Sequence, residues 1–280
     1  SETLNLSGTG TIASKDVGSN KTVTVGTLAL ADGSNGGLAA NYTLSGGTHQ
    51  LTVNQRPLNA TLARQYDGTT TSAGSTLSSF DALQGGETLT MTGSGTAASA
   101  NVANGITMSS NGDLGLVDGT GAASNYSLNS TVINITQRVL NSSGSKTYDA
   151  NTDALAADIT LSNLVSGETL NHSGTATLSS ANAGSYTISN LTGISIADNA
   201  GLASNYTLTG GTHNFTVNPK VVPIQGNKTY DGNTTINASD ITAIVDTVGS
   251  ETLVMSSGTG TTSSQNAATY TSAGINEGSL

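Results

Sequence analysis

Short runs along the chain alternate apolar residues with Thr, Ser and Asn. Examples are Thr22-Val23-Thr24-Val25, Leu51-Thr52-Val53, Val132-Ile133-Asn134-Ile135 and Phe215-Thr216-Val217. Period two with β-branched residues on both faces is the pattern of a half-buried strand. No long stretch keeps the 3.6-residue period of an amphipathic helix. Clusters of Gly, Asn and Ser interrupt the runs at about hairpin spacing. The pattern predicts an all-β, β-dominated fold with small, thin cores. One short helical turn is expected, through Leu77, Phe80 and Leu83.

The runs belong to a repeat. Tyr66-Asp67-Gly68, Tyr148-Asp149-Ala150 and Tyr230-Asp231-Gly232 stand 82 residues apart. Glu-Thr-Leu recurs at Glu2, Glu87, Glu168 and Glu251, and Asn-Tyr at Asn41-Tyr42, Asn125-Tyr126 and Asn205-Tyr206. A period this long exceeds one solenoid turn and matches a small domain. The motif order divides the chain into a partial repeat at 1–57, complete repeats at 58–138 and 139–220, and a partial repeat at 221–280. Each complete repeat reads as a small β-sandwich-like domain of about 82 residues. The junctions Val53-Asn54-Gln55-Arg56, Ile135-Thr136-Gln137-Arg138 and Val217-Asn218-Pro219-Lys220 hold no Gly/Ser linker. With Pro57 and Pro219 fixing φ, hinge motion is restricted and end-to-end stacking is expected. A strand rise of ~3.3 Å per residue then gives a rod on the order of 120–160 Å.

Residues 1–57 lack the Tyr-Asp-Gly half of a repeat. Residues 221–280 lack Asn-Tyr and a closing strand. Three arrangements would complete them: a longer ordered chain, a domain phase that begins at Glu-Thr-Leu, or head-to-tail strand complementation between molecules. The first is expected.

Composition narrows the function classes. Charged residues are 9% of the 280 and the formal net charge is −10. The eight basic residues are scattered, which argues against nucleic acid. No apolar run has the length of a membrane span. The absence of cysteine removes disulfides and thiolate metal sites. It also suits a secreted chain held unfolded until export, and is compatible with the cytosol as well. No signal peptide is read, although Ser1 lies inside a repeat and an upstream leader remains compatible. Low charge density limits self-repulsion and favours a folded chain over a disordered one.

All eight tyrosines occupy periodic positions: Tyr66, Tyr148 and Tyr230 before Asp or its turn, Tyr42, Tyr126 and Tyr206 after Asn, Tyr186 and Tyr270 in a third slot. With 4% aromatics and no Trp, these are the largest rings available for burial. They are read as core and corner residues, hydroxyl bonded to backbone. The competing reading is a sugar-stacking platform. Asp67, Asp149 and Asp231 are expected to accept backbone N–H bonds in Asx-type turns, with Gly68 and Gly232 supplying an unusual φ. Ala150 in the middle copy predicts that a positive φ is not required there. Carboxylates as sparse as Glu87, Glu168 and Glu251 do not form the close pair that acid–base chemistry needs. They are expected to act as turn acceptors or as partners of Arg64, Lys146 or Lys228. His49, His172 and His213 have no recurring companions for metal or catalysis. Calcium at Asp231-Gly232-Asn233 would need more oxygen ligands than the surroundings offer. Asn-X-Ser/Thr sequons, including Asn5, Asn41, Asn125, Asn205 and Asn227, follow from Ser/Thr richness or mark a glycosylated surface. The expectation is no catalytic, cofactor or metal residue.

The order Thr-Tyr-Asp-Gly, Gly-Glu-Thr-Leu, Lys15-Asp16-Val17-Gly18, Ala-Ser-Asn-Tyr-Thr-Leu and a closing Thr-Val-Asn-Pro-Lys resembles the YDG-type repeat of very large bacterial secreted adhesins, including filamentous-haemagglutinin-like exoproteins. The resemblance covers essentially the whole chain. It departs at Ala150 and at Asn182-Ala183-Gly184, where the Asp-Val-Gly signature is lost. It implies export, bacterial surface display and a role in adhesion or biofilm cohesion, without cofactor or catalysis. Its partners would be neighbouring repeats of the same chain, with polysaccharide or another cell surface met by other regions. The expected role is a structural stalk that holds a distal binding region away from the cell. The alternatives are a self-assembling extracellular fibre, a homopolymer completing its half-domains head to tail, and a glycan-binding repeat.

Overall fold

The computed structural model describes residues 1–188 and 191–280. It divides into two compact units, Ser1–Arg138 and Val139–Leu280. The fold is all-β, as the alternation predicts, and its helical parts are three-residue 3₁₀ turns.

In the first unit, residues 56–136 build a six-stranded mixed sheet. Its order is Thr71–Ala73, Ser94–Ala97, Ala103–Ser110, Tyr126–Thr136, Arg56–Gln65, Leu77–Phe80. A separate ribbon pairs Leu89–Thr92 with Gly115–Asp118. The long strands carry the alternation into burial: Leu58, Ala60 and Leu62 face inward opposite Ile133 and Ile135, all at 1% exposure or less. Hairpin spacing suggests antiparallel neighbours, yet the two longest strands lie side by side in parallel. The first strand of the repeat, Arg56–Gln65, pairs with its closing strand, Tyr126–Thr136, from Arg56–Tyr126 to Gln65–Thr136. A bulge between Leu128 and Ser130 shifts the register. The Asn59 side-chain oxygen spans it, accepting from Asn129 Nδ2 at 3.0 Å and Ser130 Oγ at 2.6 Å.

The expected helical turn through Leu77, Phe80 and Leu83 is corrected. A 3₁₀ turn occupies Gly74–Thr76, and Leu77–Phe80 is a strand antiparallel to the first strand. The three-residue spacing of Leu77 and Phe80 is helix-compatible, but the free edge beside Ala60–Leu62 recruits this segment into the sheet, where its backbone groups are satisfied.

The second unit repeats the plan at 139–220. One sheet runs Ile159–Ser162, Asn141–Thr147, His213–Asn218, Gly184–Thr187, and a second runs Asp153–Leu155, Asn171–Thr177, Ile194–Ala197. The core lies between them. Ala154, Ala176 and Ile194 from one sheet meet Ile159, Phe215 and Val217 from the other. First and closing strands are again parallel neighbours, from Ser142–His213 to Thr147–Asn218.

The flanking segments hold few buried residues. Gly37 is the one in 1–57, and Ile236 and Gly260 are those in 221–280.

Candidate functional site

The Tyr-Asp-Gly turn is built by its aspartate. Asp67 Oδ1 accepts from the Thr69 N–H and hydroxyl, each at 2.9 Å, and pairs with the Arg64 guanidinium. In the next copies Asp149 and Asp231 accept from the N–H of Asn151 and Asn233 at 3.1 Å, and pair with Lys146 and Lys228 at 2.8 Å. Each lysine also donates to the side-chain oxygen of Asn151 or Asn233 at 2.7 Å. The bases at i−3 therefore serve this turn. The expectation that Arg64, Lys146 and Lys228 partner the Glu-Thr-Leu glutamates is corrected: three residues of separation place these bases over Asp.

The reading of Ala150 is corrected as well. Gly68 and Gly232 have φ of 78° and 77°, and Ala150 sits at 63°. The left-handed conformation is kept in all three copies, and Ala150 bears its steric cost. Ala150→Gly is expected to raise stability by about 1 kcal/mol, measured as a higher urea midpoint at unchanged slope.

The tyrosines separate by copy. Tyr66, Tyr126 and Tyr206 are buried, at 4%, 4% and 1% exposure. Tyr148 is half-buried. Tyr42 and Tyr230 are 49% and 65% exposed, so burial does not extend to every periodic ring. In the flanking segments no closed core surrounds them.

Asn-Tyr and Glu-Thr-Leu form one device. The hydroxyl of Tyr42 donates to Glu2 at 2.8 Å, that of Tyr126 to Glu87 at 2.6 Å, and that of Tyr206 to Glu168 at 2.6 Å. In the complete repeats the same hydroxyl accepts a backbone N–H, from Gln84 at 3.2 Å and from Val165 at 3.1 Å. The ring thus pins the turn that carries its glutamate. Space for the carboxylate is left by Gly121 and Gly201. A Cβ there would lie 2.7 Å from Glu87 Oε2 and 2.5 Å from Glu168 Oε2. The 3₁₀ turn before each tyrosine is tied by an aspartate: Asp32, Asp118 and Asp198 accept from the N–H of Ala39, Ala123 and Ala203 at 2.7 Å. Sequence reasoning missed these acceptors, although Asp recurs there at near-constant distance from Asn-Tyr.

The asparagines also differ. Asn41 is exposed and Asn205 is 1% exposed. Asn125 accepts the Val17 N–H at 2.8 Å and donates to Asp16 Oδ1 at 2.9 Å, while Lys15 pairs with Glu87. In the second unit the Tyr148 hydroxyl donates to Glu251. The Lys15 and Tyr126 bonds hold the Glu87 carboxyl below its ordinary value, and Asn125 and Ser14 do the same for Asp16. Glu87 and burial raise the Tyr126 phenol.

Carboxyls whose folded pKa is depressed contribute stability that is full above the unfolded pKa and is lost as pH falls through the folded one. The first unit is therefore expected to melt lower at about pH 3 than at pH 7, with a smaller drop in Glu87→Gln.

The histidines serve the backbone. Nε2 of His49 and His213 lies 2.8 Å from the carbonyls of Leu44 and Leu208, and His213 Nδ1 is 2.9 Å from Ser142 Oγ. His172 Nε2 faces the carbonyls of Ala156 and Ile159. Among the described residues no three His, Cys, Asp or Glu gather as a metal group. Among the described residues no helix is long and apolar enough to cross a membrane.

The YDG domain matches the chain three times, at residues 1–51, 47–133 and 134–216. No curated protein and no solved structure matches it.

Proposed function

Because the chain belongs to the YDG domain family, we infer that it is a run of structural stalk repeats in an extracellular bacterial adhesin or biofilm-matrix protein. The repeats hold a distal binding region away from the cell surface and perform no catalysis. One observation carries this reading: the recurring polar residues are occupied within their own framework. Asp of Tyr-Asp-Gly ties its turn to Arg or Lys, and Glu of Glu-Thr-Leu takes the tyrosine hydroxyl. A repeated binding or catalytic site would leave such groups directed at a ligand. The 280-residue chain is expected to show no saturable binding on a glycan array or on host cells. Saturable binding that disappears in Tyr42→Ala or Tyr230→Ala, the two exposed rings, would overturn the reading in favour of a glycan-binding module.

A further inference from the structure

In each complete repeat the chain comes in along the first strand and leaves along the closing strand, and these two strands are parallel neighbours. The geometry has a mechanical consequence. In a parallel pair, the start of one strand and the end of the other lie at opposite ends of the ladder. Tension carried through the chain therefore pulls along the strands, and the hydrogen bonds between them share the load in shear. An antiparallel hairpin pulled at its two ends opens one bond at a time. We propose that the first and closing strands of each repeat form a shear-loaded clamp, and that these repeats bear tension as well as provide length. The inference deepens the stalk reading and takes its biological use from it.

Three features of the clamp fit this role. The ladder is long: residue pairs run from Arg56–Tyr126 to Gln65–Thr136 in one repeat and from Ser142–His213 to Thr147–Asn218 in the other. It extends into the tyrosine turn, where the Tyr66 N–H donates to Thr136 O at 2.9 Å and the Tyr148 N–H to Asn218 O at 2.8 Å. Its inward side chains are the core itself. Leu58, Leu62, Ile133 and Ile135 are fully buried, and Phe215 lies against Gly144 so closely that a Cβ there would be 2.7 Å from the ring. Sliding the strands apart must therefore break several backbone bonds and open the core in one step. The rate under load is set by that unfolding barrier rather than by equilibrium stability.

The register is also locked against slip. Asn59 spans the bulge through Asn129 and Ser130, and its own amide donates to Asp81 Oδ2 at 2.6 Å. In the second repeat Ser142 Oγ meets His213 Nδ1 across the pair. A one-residue slip would lose these contacts and turn every inward side chain outward.

The test is single-molecule pulling on the 280-residue chain in two geometries. The chain has no cysteine, so handles attach only where one is introduced. Gln55→Cys with Gln137→Cys loads the clamp of residues 56–136 in shear. Gln55→Cys with Ser124→Cys pulls the same two strands apart from one end. Both pairs lie outside the ladder, and a melting curve confirms that each variant folds. The expected rupture force is severalfold higher in shear than in the peeling geometry at equal loading rate. Equal forces, or a stronger peeling geometry, would overturn the clamp while leaving the stalk reading intact, because length does not depend on it. Binding found in the glycan experiment would overturn the stalk reading and leave the clamp intact.

Discussion

Tyr126→Ala is expected to destabilise the first unit by about 3–5 kcal/mol, the cost of removing a buried aromatic ring from a core. The ring is 4% exposed and packs with Leu58 and Leu89. Its loss also leaves the Gln84 N–H and the Glu87 carboxylate without the hydroxyl that joins them. The proper control is Thr70→Ala in the same unit. Thr70 is exposed, and its change should stay within about 0.5 kcal/mol. Exposure also orders the equivalent rings. Tyr148→Ala should cost less than Tyr126→Ala, and Tyr230→Ala, at 65% exposure, least. Denaturant midpoints of the four variants check the series. A Tyr126→Ala curve that overlays the parent would mean the ring is not a core element.

Gly174→Ala should be nearly as damaging, at about 3 kcal/mol. Gly174 has a φ of 101°, and a Cβ there would lie 1.9 Å from the carbonyl oxygen of Gly193. Neither atom can yield, because Gly174 pairs with Ile194 at the end of the strand ladder. The same position recurs at Gly8, Gly93 and Gly258, each with positive φ and a backbone oxygen within 2.4 Å of the absent Cβ. Gly167 separates the two causes. Its φ is 85° with nothing within 4 Å, so Gly167→Ala should show conformational strain alone, about 1 kcal/mol. Equal losses at the two positions would show that the close approach contributes nothing.

The sequence made the strands legible because alternation reports burial directly. Thr22–Val25, Leu51–Val53, Val132–Ile135 and Phe215–Val217 all fall within or across the end of observed strands. Strand partners were not legible. Period two states which face is buried and says nothing about the neighbour, so the parallel pairing of Arg56–Gln65 with Tyr126–Thr136 had no local signal. Leu77–Phe80 misled for a related reason, since its apolar spacing fits a helix until a free sheet edge is present. At the site, both halves of the Tyr–Glu bond were visible as recurring motifs. Their union was hidden because Glu87 and Tyr126 lie 39 residues apart. The signal was their joint recurrence, Glu2 with Tyr42, Glu87 with Tyr126 and Glu168 with Tyr206. Ala150 misled in the opposite direction. A non-glycine residue in one copy suggests a relaxed turn, whereas Asp149 and Lys146 impose the left-handed conformation regardless of its side chain.

The central claim is that these repeats supply distance rather than recognition. The most direct test displays the chain on a cell surface with a tag at its far end and varies the number of copies of residues 139–220. The tag's height is then read against copy number alongside binding to glycans and cells. The account predicts a constant gain in height per added copy and no gain in binding. Binding that rises with copy number while the height stays fixed would contradict it.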